Sequence, residues 1–243
     1  VTTPPTSDDV AVKYFDQDFR FEITPETEKT FDPESISLPE MEMVMNAQLL
    51  QHDTQLWLLA MICRLFFPVG YDDWQVILFI KGIAGSGKST IAQFVRYFYP
   101  NSAVASLSAN VEEKFGLSAI YQGLICVCAE VRHNFGLDQG DWQSCVTGEE
   151  VSIAIKGKTA IQHKWDTPML WLGNELPNYK NNSGSVERRT FMICFDQQVK
   201  KSEQDSNLST KFVKNIDLFQ RKGTRLYHDK LFKHGHESIW ADG

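Results

Sequence analysis

Nine residues, GIAGSGKST at Gly82–Thr90, restrict what this chain can fold into more than any other stretch. They match the spacing G-x-x-x-x-G-K-[ST] through Gly82, Gly87, Lys88 and Ser89. The glycines permit backbone conformations that other residues resist, so successive N–H groups can turn inward around an anion. Before the loop stands WQVILFIK, Trp74–Lys81, a run apolar enough for a strand buried on both faces. After it, Ile91, Phe94, Val95 and Phe98 share one helical face until Pro100 stops the helix. Strand, loop and helix in that order aim the positive end of a helix at the loop. The expected ligand is a triphosphate such as ATP, cradled by Gly82, Ala84, Gly85, Ser86, Gly87, Lys88, Ser89 and Thr90. Lys88 then reaches the β- and γ-phosphates, and the Ser89 hydroxyl binds Mg²⁺.

The rest of the chain repeats the strand signal. Apolar runs at about 103–107, 124–129, 169–172 and 191–195 are separated by helical or irregular pieces, which predicts an α/β fold with a parallel central sheet. Between the runs at 124–129 and 169–172, VSIAIKGKTAIQHKW (Val151–Trp165) alternates on either side of Lys-Gly-Lys and reads as a hairpin. A helix is expected from Met41 to Phe67, with Leu49, Leu56, Ala60, Cys63 and Phe67 at helical spacing and Pro68 and Gly70 ending it. From Lys211 to Lys233 seven basic and two acidic residues recur at helical spacing, suited to lining a channel or covering the nucleotide. Length favours one large domain with helical additions. The expected parts are an N-terminal acidic and helical segment (1–70), an ATPase core (71–200) and a small C-terminal helical region (201–243).

Charge is placed unevenly. Residues 1–43 hold eleven acids and three bases, so most of the net −7 belongs there and the remaining body is nearly neutral. Such a body can still gather its bases on one surface and bind nucleic acid. Within the acidic segment, the aromatic patch KYFDQDFRF (Lys13–Phe21) is suited to pinning it to a neighbour. The chain opens at Val1 without Met, which suggests a fragment of something longer. Its most apolar helical run, LWLLAMICRLFF, is short and contains Arg64, so no membrane span is expected. The five cysteines fall mainly in apolar segments, and no second pair follows Cys126 and Cys128 to complete a zinc pattern. Free buried thiols in a reducing compartment are the expectation.

Three further strand ends carry chemistry. LICVCAEV (Leu124–Val131) ends on a single carboxylate, Glu130, placed to hold Mg²⁺ and polarise an attacking water. PMLWLGNELP (Pro168–Pro177) ends on Asn174, whose amide can both donate to a γ-phosphate and accept from a water. SGSVERRTFMICF sets Arg188 and Arg189 in a polar loop before the last strand, and a charge-stabilising arginine is the part otherwise missing.

With these elements in order, the chain resembles the viral superfamily-3 helicases, a branch of the AAA+ ATPases. It looks most like the primase-helicases of large DNA viruses of the poxvirus, asfarvirus and algal-virus kind. The likeness runs from about KYFDQDF through FIKGIAGSGKST, VASLSANVEEKFGL, CAEV, SCVTGEEVSIAIKGK, WLGNELPNY and GSVERRTFMICF to Ile239–Trp240, nearly the whole chain. The resemblance implies a hexameric ring that hydrolyses ATP between subunits and moves 3′ to 5′ on single-stranded DNA. It further implies a primase portion upstream and a place in the host cytoplasm or nucleus, without secretion. Carried over, Lys156 and Lys158 become DNA-backbone contacts, with His163 and Lys164 beside them. Asn174 becomes the γ-phosphate sensor, and Arg188 or Arg189 the finger on a neighbour's nucleotide. One departure is that Ala129 stands where many members have a second acid, so either Glu130 serves both Mg²⁺ and the attacking water, or Glu149, Glu150 or Glu175 assists it. Two other classes fit the phosphate loop: an ATP-binding ring or clamp with little unwinding, and a P-loop kinase.

Overall fold

The computed structural model describes residues 24–107, 116–181 and 184–235. The Lys13–Phe21 patch, residues 108–115 of the VASLSANVEEKFGL stretch, and Ile239–Trp240 lie outside them. In chain order the strands are β1 (Ile77–Gly82), β2 (Val104–Ala105), β3 (Ile125–Val131), β4 (Glu150–Ile153), β5 (Ile161–Lys164), β6 (Met169–Gly173) and β7 (Thr190–Phe195). Five of them form one parallel sheet in the order β2-β3-β6-β1-β7. The other two, β4 and β5, pair antiparallel as the hairpin that the alternation predicts.

The apolar strand runs are continuous because both faces of the sheet are covered. Along β1, Leu78 and Ile80 enter one core while Ile77 and Phe79 enter the other. Along β3, Ile125 and Val127 join the first, and Cys126 and Cys128 the second. Period-two alternation thus survives, but both sets are apolar. The second layer holds α5 (Gln139–Thr147) and the hairpin, through Trp142, Val151, Ile153 and Trp165. The first holds α2 (Pro39–Ala47), α3 (His52–Arg64), α4 (Lys88–Arg96), α6 (Leu208–Lys214) and α7 (Ile216–His234). A short α1 (Pro25–Thr30) is capped reciprocally by Thr24 and Thr27.

The single helix expected over 41–67 is two helices. They are separated at Gln48–Gln51, where Leu49 adopts a left-handed φ of 54°. Leu50 N–H donates to Met45 C=O (3.2 Å) and Leu49 N–H to Asn46 C=O (2.9 Å), the bond pair of a Schellman C-cap. Gln55 closes the corner by donating to Asn46 Oδ1 and the Leu50 carbonyl. Glycine is the usual residue at the left-handed position, and a leucine there leaves no trace in the apolar period.

The basic C-terminal helix faces inward, against the expectation that it lines a channel or lids the nucleotide. Arg221 and Arg225 pair with Glu28 at 2.7 and 2.9 Å, Lys222 donates to the Ile36 carbonyl, and Lys230 pairs with Asp53. Glu28 of the acidic N-terminal segment therefore has its partners on α7. Helix α7 lies directly on α3, so close at Gly223 that a β-carbon would fall 2.3 Å from Cys63 Sγ. At the end of this helix pair, Arg64 grips the buried Asp72 carboxylate with two bonds of 2.6 and 2.7 Å. Tyr227 of α7 donates to the same carboxylate, Trp74 N–H does too, and Arg64 also reaches the Val76 carbonyl. The network pins the entry to β1. Four cysteines are buried free thiols as expected, whereas Cys194 is exposed on the edge strand β7. Among the described residues no helix is long and apolar enough to cross a membrane.

Candidate functional site

In a parallel sheet every C-terminal strand end meets the same edge, and ligands bind there. The loop Ile83–Gly87 leaves β1 at that edge and enters α4 at Lys88. Gly85 and Gly87 sit at φ 73° and 94°, conformations that a β-carbon would strain. The loop's carbonyls are largely taken. Lys88 Nζ donates to those of Gly82 (2.6 Å) and Ile83 (2.7 Å), Val199 N–H to Gly85 (3.0 Å), and Gln48 Nε2 to Ser86 (2.8 Å). Their negative ends are thus engaged, which suits the loop to an anion. Burial lowers the pKa of the Lys88 ammonium from its ordinary value, a cost that phosphate oxygens would offset. The buried Ser86 hydroxyl has no hydrogen-bond partner among the described residues. The residue set therefore fits a phosphate chain.

Strand order brings two more expected residues alongside. Gly173, at the end of β6, is in register with Lys81 of β1 on one side and Val131 of β3 on the other. Neighbouring strands run about 4.8 Å apart, so Asn174 emerges between the phosphate loop and the end of β3. Glu130 lies on β3 where the pairing with β6 slips between Cys128 and Val131. That irregularity frees Ala129 and Glu130 from the buried pattern, as bulges beside active sites commonly do. The Glu130 side chain is 71% exposed and pairs with Arg132 at 2.7 Å. Of the acids expected to assist it, Glu175 shares this edge and accepts from His133 N–H. Glu149 and Glu150 do not. They open the hairpin, where the Glu149 carbonyl accepts from Trp165 N–H just before β6 begins, at the opposite end of the sheet.

Arg188 and Arg189 are also absent from this edge. They occupy a 3-10 turn at the start of β7, and β7 runs parallel to β1 with Thr190 opposite Ile77. One six-residue strand separates them from their own phosphate loop, roughly 20 Å. Arg189 donates to the Ser185 carbonyl, but its Nε is buried without a partner among the described residues. Burial and the adjacent Arg188 charge lower its pKa, partly countered by Glu149.

The hairpin sorts the four basic candidates. Lys156 and Lys158 are exposed at its tip, where Lys158 N–H bonds to the Ile155 carbonyl around Gly157. Lys164 stands opposite Glu150 in the exposed row. His163 is on the inner face opposite Val151, with its ring against Tyr121 and Trp165.

Beside the loop opens a cleft of about 660 Å³, walled by Met43, Val44 and Ala47 of α2 and by Val199, Asp205 and Leu208. Three participants escaped the sequence reading: this α2 wall, Arg132 as the partner of Glu130, and Gln48. A polar residue inside an apolar helical period ordinarily marks a solvent face, so nothing in the pattern signals the role of Gln48.

A family of unknown function (DUF5906) matches residues 80–189, from the end of β1 to the arginine pair. Among solved structures, an apo form of the NrS-1 C-terminal region superposes with a TM-score of 0.58 at 17% identity, over 85% of this chain and 49% of that one. A second NrS-1 C-terminal structure gives 0.58 at 15% identity, over 90% and 56%. The chain thus spans about half the length of these structures, with which it shares its fold. The helicase of JCV aligns at only 0.41 and 17% identity, over 78% of this chain and 53% of that one.

Proposed function

We propose that the chain is the ATP-hydrolysing motor of a DNA helicase, of the superfamily-3 kind that its sequence resembles. One observation carries this reading: parallel β1, β6 and β3 deliver the phosphate loop, Asn174 and Glu130 side by side at one sheet edge. In this reading Lys88 leaves the Gly82 and Ile83 carbonyls and turns its ammonium to the phosphates. Ser89 and Glu130 are the groups to hold Mg²⁺, which when bound neutralises charge on the phosphate oxygens. Glu130 exchanges Arg132 for the attacking water, and Asn174 donates to the γ-phosphate. Arg188 or Arg189, about 20 Å from their own loop, acts on the nucleotide of the next subunit in a hexameric ring.

The hairpin tip with Lys156 and Lys158 tracks single-stranded DNA phosphates 3′ to 5′, Lys164 and His163 being less well placed to do so. Residues 1–70 supply a collar-like part, 71–200 the ATPase and 201–243 a C-terminal helical part, of which Lys201–Ser209 borders the cleft, in a viral replication primase-helicase acting in the host cytoplasm or nucleus. A second reading, a ring that binds ATP with little turnover, is favoured by Ala129, which leaves Glu130 without an adjacent carboxylate. The test is Glu130→Gln. ATP binding is expected to persist while turnover falls about 100-fold or more. Unchanged turnover removes Glu130 from the site, and a wild-type protein that binds ATP without hydrolysing it selects the second reading.

A further inference from the structure

Gln48 lies outside every motif, yet its side chain is 5% exposed and wholly engaged. Its Nε2 donates to the carbonyls of Ser86 and Gln197, both at 2.8 Å, and its Oε1 accepts from Gln197 N–H at 2.9 Å. One amide therefore ties three segments together: the end of α2, the phosphate loop and the chain leaving β7. The left-handed turn at Leu49 belongs to the same arrangement. It ends α2 at Gln48 and reverses the chain immediately afterwards, at the cost of a strained, exposed leucine.

A trans peptide sets its C=O and N–H on opposite sides, and this chain has no cis peptide among the described residues. Holding the Ser86 carbonyl toward Gln48 therefore points the Gly87 N–H away from Gln48. Gly87 has φ 94° and no side chain to resist rotation of that peptide, so an external anchor is needed. We propose that Gln48 is a positioning residue of the phosphate site, fixing the Ser86–Gly87 peptide so that the Gly87 N–H meets a phosphate oxygen. The same residue joins that peptide to α2, whose Met43, Val44 and Ala47 wall the adjoining cleft, so the nucleoside end of a ligand is held in line with its phosphates. This rests on the reading of the loop as a nucleotide site.

The experiment compares Mg²⁺·ATP and Mg²⁺·pyrophosphate binding in wild type, Lys88→Ala, Gln48→Met and Gln48→Glu. Methionine keeps the length without the donor. Glutamate keeps the acceptor for Gln197 N–H and faces the two carbonyls with a carboxylate. A hydrogen bond to a charged group is worth enough that both Gln48 variants are expected to lose about ten-fold or more in affinity for both ligands. The loss belongs in KM more than in kcat, and pyrophosphate shares it because the defect lies in the loop. A loss confined to ATP overturns the proposal, as does wild-type affinity in a folded Gln48→Met protein. Should Gln48→Met not fold, wild-type pyrophosphate affinity in Gln48→Glu overturns it equally. If wild type binds and Lys88→Ala does not, an unaffected Gln48 variant sinks this inference alone. A wild type that binds neither ligand sinks the nucleotide site as well.

Discussion

Asp72→Asn is the sharpest test of how the helical layer holds β1. The carboxylate is 1% exposed and its partner Arg64 13%, so solvent screens the pair little. Burial raises the Asp72 pKa, but the two Arg64 bonds and the Tyr227 hydroxyl outweigh it and hold the carboxyl below its ordinary value. Asparagine keeps the shape but removes the charge, and turns an NH₂ toward at least one donor. Breaking a buried ion pair by neutralising one partner costs about 3–5 kcal/mol. In a chain of this size that lowers Tm by roughly 10 °C. Thermal unfolding followed by circular dichroism, with urea unfolding followed by tryptophan fluorescence, reads the change. Asp53→Asn, at a carboxylate that is 77% exposed where it pairs with Lys230, is the control, expected to cost no more than about 0.5 kcal/mol. Removing both charges with Arg64→Met and Asp72→Leu should cost less than Asp72→Asn alone. A loss under about 1 kcal/mol for Asp72→Asn refutes the reasoning, because Arg64 would then tolerate the loss of its counter-ion.

The same carboxylate sets an acid limit. Its folded-state pKa is depressed, so its contribution is complete above the unfolded value of about 3.9 and is lost as pH falls through the folded one. Glu28, lowered by Arg225 and Arg221 against its own burial, acts in the same direction. Stability should therefore drop below about pH 4, less so in Asp72→Asn, and parallel acid profiles would contradict this. Leu49→Gly relieves a left-handed leucine worth about 1–2 kcal/mol, less about 0.5–1 for glycine entropy. It should stabilise by about 0.5–1 kcal/mol in urea unfolding, and a net loss would show that the exposed leucine side chain contributes. Lys156→Ala with Lys158→Ala should flatten the log–log salt dependence of single-strand binding by about 1.4. A wild-type slope would place the DNA elsewhere.

What the sequence disclosed was whatever repeats along the chain. Buried runs at Ile77–Gly82, Ile125–Val131 and Met169–Gly173 are visible because both faces of their sheet are apolar, edge strand Thr190–Phe195 because its residues are apolar although Met192 and Cys194 are exposed, and the hairpin because one of its faces is not. The loop was legible from its own glycine, lysine and serine spacing, and the order of Glu130 and Asn174 followed from the strands. Features set by one side chain in three dimensions were not legible. The corner at Leu49 carries neither Gly nor Pro, so the apolar period ran straight through it. The basic side chains of α7 have no direction in a sequence, and only packing on α3 turns Arg221, Lys222 and Arg225 toward Glu28 and Ile36. Gln48 looked like one more polar residue because its partners, Ser86 and Gln197, lie 38 and 149 positions away.

The central claim is that the edge built from Gly82–Ser89, Glu130 and Asn174 hydrolyses ATP to drive movement on DNA. It is tested most directly by measuring Mg²⁺-dependent ATP turnover with and without single-stranded DNA, in wild type and in Lys88→Ala. The account predicts turnover in wild type that rises when DNA is added, and none above background in Lys88→Ala. Equal turnover in the two proteins, or no response of the wild-type rate to DNA, would contradict it.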